Sequence, residues 1–174
     1  MRTMGLDISL TSTGYSVDGV TGIIKVKSRN AERLHEISNA VLFICFEYSI
    51  DIVVLEGYSF ASRNSQAHSI GELGGCIRMK LWENSIPYIE IPPTSRAKFA
   101  TGRGNAGKTE VISSISAKTG LNFSGSGADD ECDAWILEQM CKTYLGDSQY
   151  QWTKEQLSAL EKIDWSQLEG AGSA

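Results

Sequence analysis

The sequence predicts a single α/β domain, a mixed β-sheet flanked by helices, and three observations lead there. Asp51-Ile-Val-Val-Leu-Glu56 is an unbroken apolar, mostly β-branched run, as in a strand buried on both faces of a parallel or mixed sheet. Strand-like and helical periods alternate along the chain in the order βββαβαβα, with one further helix after them. The 174 residues are 41% hydrophobic and 21% charged with only 3 prolines, which suits one globular domain able to bury a sizeable core.

Each element has a local cause. Thr3 to Ile8 is short and apolar and carries the acid Asp7 near its end. A Ser/Thr/Gly-rich turn leads to Tyr15–Val17. Turn chemistry at Asp18-Gly19-Val20-Thr21-Gly22 then precedes the alternating Ile23–Lys27, completing a three-stranded meander. From Ala31 the period becomes helical, with Leu34, Ile37, Val41, Ile44, Cys45 and Tyr48 on one face. After the buried strand, Ser65 to Trp82 reads as a helix with Ile70, Leu73, Ile77 and Leu81 on one stripe. Gly71, Gly74 and Gly75 lie beside that stripe, and because glycine weakens a helix, such a cluster points to close approach by another backbone. Tyr88 to Ile91 is a strand halted by Pro92-Pro93, and Lys108 to Lys118 is a helix ended by Gly120. Asp129 to Tyr144 is the last long helix, with acids in its first turn where the macrodipole favours them. The domain is expected over residues 1–145. Residues 146–174 read as a polar tail with a short amphipathic stretch around Leu157, Leu160, Ile163 and Trp165.

Composition excludes several classes of function. The longest strongly apolar stretch, Ala40 to Phe46, is too short to cross a bilayer, and the opening MRTMGLDISL has no export signal, so a cytoplasmic location is expected. Cys45, Cys76, Cys132 and Cys141 lie far apart, as free thiols do. The net charge of −5 argues at first against a polyanionic partner, but the charge is uneven. Residues 57–120 hold eight bases against four acids, while the rest holds eight against seventeen, so a positive face can coexist with an acidic whole.

Four acids stand out by position: Asp7 and Glu56 at strand ends, and Asp130 and Asp133 at i, i+3 on one helix face. Neighbouring central strands would bring the first two together, and a helix packed on the sheet would present the other two. Carboxylates so gathered need protons or cations, and hard oxygen donors suit Mg²⁺ or Mn²⁺, two ions of which can serve phosphodiester hydrolysis. Gly102-Arg-Gly-Asn-Ala-Gly107-Lys108-Thr109 matches a phosphate-cradling loop, a second reading that requires a buried strand before it and another ending in an acid after it. The preceding residues are instead polar and basic, which favours a Gly-rich loop whose Arg103 and Lys108 meet backbone phosphates. Tyr58 and Phe60 follow Glu56 and either stack on unpaired bases or pack into the core.

In this order and spacing, Gly5-Leu-Asp7, Ser9 to Tyr15, Val53 to Glu56, the basic stretch Arg96 to Lys108 and Asp130-Glu-Cys-Asp133-Ala134 resemble the RuvC family of Holliday junction resolvases, in its short phage- or virus-like form. The resemblance spans roughly residues 3 to 144. It implies an RNase H-like fold and a homodimer formed through the helix around Ser65–Trp82. It further implies paired nicking of four-way DNA junctions with Mg²⁺ or Mn²⁺, two ions per site, in a host cytoplasm. Carried over by position, Asp7, Glu56, Asp130 and Asp133 are the metal-binding catalytic acids, and Lys108 assists them. Tyr58, Phe60, Arg63, Arg96, Lys98, Arg103 and Lys108 are the expected DNA contacts. A related nuclease acting on flaps or forks is the nearest alternative, and a nucleotide-binding loop at Gly102–Thr109 a more distant one.

Overall fold

The computed structural model describes residues 1–57 and 65–171. A five-stranded sheet of order β3-β2-β1-β4-β5 forms its middle layer. β1 (Thr3–Asp7), β2 (Thr13–Val17) and β3 (Val20–Ile24) are an antiparallel meander, and β4 (Ile52–Glu56) and β5 (Tyr88–Ile91) add in parallel on the other side of β1. The helices are α1 (Asn30–Glu47), α2 (Ser65–Glu83), α3 (Pro93–Thr101), α4 (Lys108–Thr119), α5 (Ala128–Tyr144), α6 (Lys154–Leu157) and α7 (Ser166–Ala171).

The pleat divides the core in two. Met4, Leu6, Val53 and Leu55 face the layer of α1 and α2, where Ile37, Val41, Leu73 and Ile77 are buried with them. Ile52, Val54, Ile89 and Ile91 face the other layer, packing with Phe99 of α3, Ile115 of α4 and Trp135 of α5. Asp7 keeps step with Thr3 and Gly5, and Glu56 with Ile52 and Val54, so alternation turns both acids toward α5.

Two expectations are corrected. β3 starts at Val20, because Asp18 (φ 52°) and Gly19 (φ 80°) close a two-residue hairpin with Val17 paired to Val20. Pairing runs out at Thr13↔Ile24, which leaves Lys25–Lys27 beyond the strand. The polar stretch before Gly102 is a helix, α3, whose first turn accepts Pro93 because its N–H would be unbonded there anyway. The chain after Tyr144 folds back onto the α5 side. Trp152 lies 4.2 Å from Phe99 between ring centroids, Trp165 stacks on Tyr144 at 4.3 Å, and Leu160, Ile163 and Leu168 are buried. No helix among the described residues is long and apolar enough to cross a membrane.

Candidate active site

The strands set the first two acids. In the parallel register Leu6 lies beside Leu55, so the next residues along, Asp7 and Glu56, end adjacent strands on the same face. Glycine sets the third. A Cβ at Gly5 would collide with the Ala134 carbonyl of α5, and one at Gly14 with the Asp130 carbonyl. Lacking side chains there, the sheet lets the α5 backbone lie directly on β1 and β2. Gly14 is also the cross-strand partner of Asp7, so the residue that pairs with one acid seats the next. Asp133 follows on the same helical face.

α5 is fixed at its far end too. Glu138, fully buried, accepts hydrogen bonds from Ser16 Oγ at 2.5 Å and from the Gly19 amide at 3.1 Å, and pairs with Lys142 Nζ at 2.6 Å. This network ties the helix to the β2–β3 hairpin and fixes the register in which its first turn meets Asp7.

The electrostatics follow from crowding. Burial first, then the charges of Glu56 and Asp130, push the Asp7 carboxyl up to about 8 against the opposing pull of Arg96 and Lys108. Burial also raises Asp130. The Arg96 guanidinium, on α3, bridges Glu56 through Nε and Asp133 through Nη1, with its side chain only 13% exposed. Lys108, the first residue of α4, pairs through Nζ with Asp129. That bond raises the lysine's pKa and lowers the aspartate's.

Asp7, Glu56, Asp130 and Asp133 are thus brought together, with Lys108 at their edge through Asp129. Arg96, expected on DNA, spans two of the acids. Arg103 is exposed and pairs with Glu110. Lys98 lies two residues from Arg96 and so on a different face of α3. Tyr58, Phe60 and Arg63 fall outside the described residues. Gly102–Thr109 joins two helices, so the strand that a nucleotide-cradling loop requires is not before it.

The residues suit a hard divalent cation. Their donors are carboxylate oxygens, together with the Ser12 hydroxyl, which is buried beside Asp130 with no protein partner in hydrogen-bond geometry. Cys132, between the helical acids, offers no thiolate, since burial pushes its thiol up to about 12. Among the described residues no three acids, cysteines or histidines already stand in coordinating geometry, and Arg96 and Lys108 supply the countercharge to Glu56, Asp133 and Asp129. Sequence reading takes Gly5, Ser12 and Gly14 only as parts of a motif, without these roles, and does not reveal the place of Arg96. The signal it could have used was a glycine in each of two adjacent strands, one of them seven residues after the first acid.

A family profile described as crossover junction endodeoxyribonuclease RuvC matches residues 3–135. A protein of that description from Ehrlichia chaffeensis is 29% identical over 154 residues, covering 83% of this chain and 97% of its own length. One from Caldicellulosiruptor saccharolyticus is 28% identical over 153 residues, covering 81% and 91%. Among solved structures, T. thermophilus RuvC in complex with Holliday junction substrate superposes with a TM-score of 0.69 at 20% identity, over 88% of this chain and 99% of that one. That likeness bears out the single mixed sheet flanked by helices, the RNase H-like arrangement expected from the sequence.

Proposed function

The chain belongs to the RuvC family of crossover junction endodeoxyribonucleases, and from that premise we propose that it resolves four-way DNA junctions by paired, metal-dependent nicking. The observation that carries this is the convergence of Asp7, Glu56 and Asp130, where burial first and then the two neighbouring charges push the Asp7 carboxyl up to about 8. Such a site is built to be relieved by a cation.

Asp7, Glu56, Asp130 and Asp133 would hold Mg²⁺ or Mn²⁺, two ions per site in this reading. Divalent cations bound there supply the Lewis acidity that phosphodiester hydrolysis draws on. The chain's own residues do the rest. Asp7 would give up its proton to act as a ligand, and Ser12 Oγ adds a hydroxyl at the Asp130 side. Arg96 orients Glu56 and Asp133 and keeps them from repelling each other before the substrate binds. Lys108 stays protonated through its pairing with Asp129, so its Nζ can donate to an oxygen of the scissile phosphate. Lys98 and Arg103 would contact flanking phosphates.

Symmetric nicks call for two such sites related by a twofold axis. α2 carries an exposed apolar face that supports this: Trp82 is 78% exposed and Met79 52%, and Gly75 has open space over its Cα where a second helix can approach. We assign the homodimer to this face, with light scattering of Trp82→Glu as its check: a monomer supports it, an unchanged dimer rejects it. In this reading the place of action is the cytoplasm.

The function is tested with an end-labelled four-way junction. The expected result is cleavage only with Mg²⁺ or Mn²⁺, abolished in Asp7→Asn while binding persists. Cleavage by Asp7→Asn near the parent rate would overturn the assignment of the acids.

A further inference from the structure

We propose that the segment from Lys25 to Arg33 is a second phosphate-binding flank of the cleft, one that receives the sugar–phosphate backbone of a duplex arm. The proposal rests on the junction-cutting reading above and adds a part of the surface to it.

Four cations, Lys25, Lys27, Arg29 and Arg33, fall within nine residues that hold a single acid, Glu32. Topology puts them at the working end of the molecule. β3 runs back toward the end of the sheet where Asp7 lies, finishing at Ile24 opposite Thr13, next to the Asp7↔Gly14 pair. Lys25 Nζ donates to Ser126 Oγ at 3.0 Å, in the loop that enters α5 just before Asp129 and Asp130. The strip therefore begins one loop's width from the acids, on the side of the sheet away from α3 and α4.

Its charge is available. None of the four cations has a carboxylate partner among the described residues. Arg33 spends only its Nε, on the Ser28 carbonyl at 2.7 Å. On the opposite flank, by contrast, Arg96, Arg103 and Lys108 are each already bound to a carboxylate. Lys98 apart, the described cations expected on DNA are thus engaged, whereas all four of the strip are free of carboxylates among the described residues.

Its shape also fits. Lys25, Lys27 and Arg29 are exposed and alternate with the more buried Val26 and Ser28, and Arg29 has extended backbone (φ −133°, ψ 166°). That alternation turns Lys25, Lys27 and Arg29 to the exposed side of the segment, where all three can meet one sugar–phosphate backbone. Arg29 and Arg33 then line a groove of about 570 Å³ between this segment, the β1–β2 loop at Leu10 and the start of α2 at Ser69. Glu72 lies on the α2 wall of that groove, so an incoming phosphate would be held on the arginine side.

The test is the salt dependence of junction binding by the full chain in the Asp7→Asn background. Lys27→Glu/Arg29→Glu is expected to weaken affinity at moderate salt by about tenfold to a hundredfold, and to reduce the slope of log K against log salt by about 2, since each lost phosphate contact removes about 0.9. Arg2→Glu, at the other end of β1, tests a charge reversal away from the strip (a change of −2 against −4 in the double variant) and is expected to leave affinity and slope close to the parent's. Both altered side chains are exposed, so an unchanged thermal melt certifies the fold. Arg29→Lys is expected to keep most of the affinity. Affinity and slope equal to the parent's in the double variant would overturn the flank while leaving the nuclease reading intact. A parent that binds no junction at all would overturn both.

Discussion

At the scale of single residues, Asp7 and Arg96 set the electrostatics of the acid cluster. Asp7 titrates near 8 in the folded chain against 3.8 for an ordinary aspartate, so the folded state keeps a proton that the unfolded state gives up. Its contribution to stability is therefore full below about pH 4 and is lost as pH rises through about 8. The metal-free protein is expected to melt at progressively lower temperature between pH 5 and 8. Asp7→Asn should flatten that slope, and Mg²⁺ should flatten it in the parent; a metal-free Tm that does not fall with pH would contradict the crowding of these carboxylates. Arg96 sets the complementary case. Arg96→Gln leaves Glu56 and Asp133 without their shared partner, a loss worth about 3 kcal/mol for a mostly buried pair. The expected outcome in a melt is a lower metal-free Tm and a larger stabilisation by Mn²⁺ than in the parent. The acids were legible in the sequence because strand ends and an i, i+3 pair are local patterns. Arg96 was not, since a base in a basic stretch gives no sign that it folds toward acids 37 to 40 residues away.

At the scale of elements, the decisive contact is α5 lying on β1 and β2. Gly14→Ala would drive a methyl group into the Asp130 carbonyl, and because backbone yields less than a side chain, the helix must lift or the strand must bend. We expect a loss of about 3 kcal/mol by denaturant unfolding. Displacement of Asp130 from Asp7 by about an ångström should lower junction cleavage about a hundredfold. A variant with parent activity would show that the close approach is not what assembles the site. α3 shows why one element escaped sequence reading. Its buried positions are Ala97, Phe99 and Ala100, too small and too few to make an apolar stripe, while its polar residues include the arginine that enters the acid cluster. β3 was misplaced by three residues because alternation continues past Ile24, although the strand needed to pair with it does not. Both errors come from tertiary partners that periodicity alone does not encode.

At the scale of the whole molecule, the chain is a three-layer sandwich with its acids at one end and a C-terminal segment closing one side. The segment's apolar residues are widely spaced, so it reads as a polar tail, yet Trp152, Leu160, Ile163, Trp165 and Leu168 all pack into the α5-side core. Gln156 Nε2 further donates to the Ala100 carbonyl at 3.0 Å, holding the end of α3. Burial of such side chains is worth about 1.5–3 kcal/mol each, so their sum rivals the 5–15 kcal/mol total stability of a typical domain. A chain truncated after Leu145 is expected to lose its cooperative melt, read by circular dichroism; a truncated protein that melts like the parent would show the segment to be dispensable.

The most direct measurement maps nicks on an immobile four-way junction labelled in turn on each strand. Paired cuts in two strands of like polarity, at symmetry-related positions and only with a divalent cation, are the expected result. Cation-independent cutting, or single unpaired cuts spread over linear duplex, flap and junction alike, would contradict it.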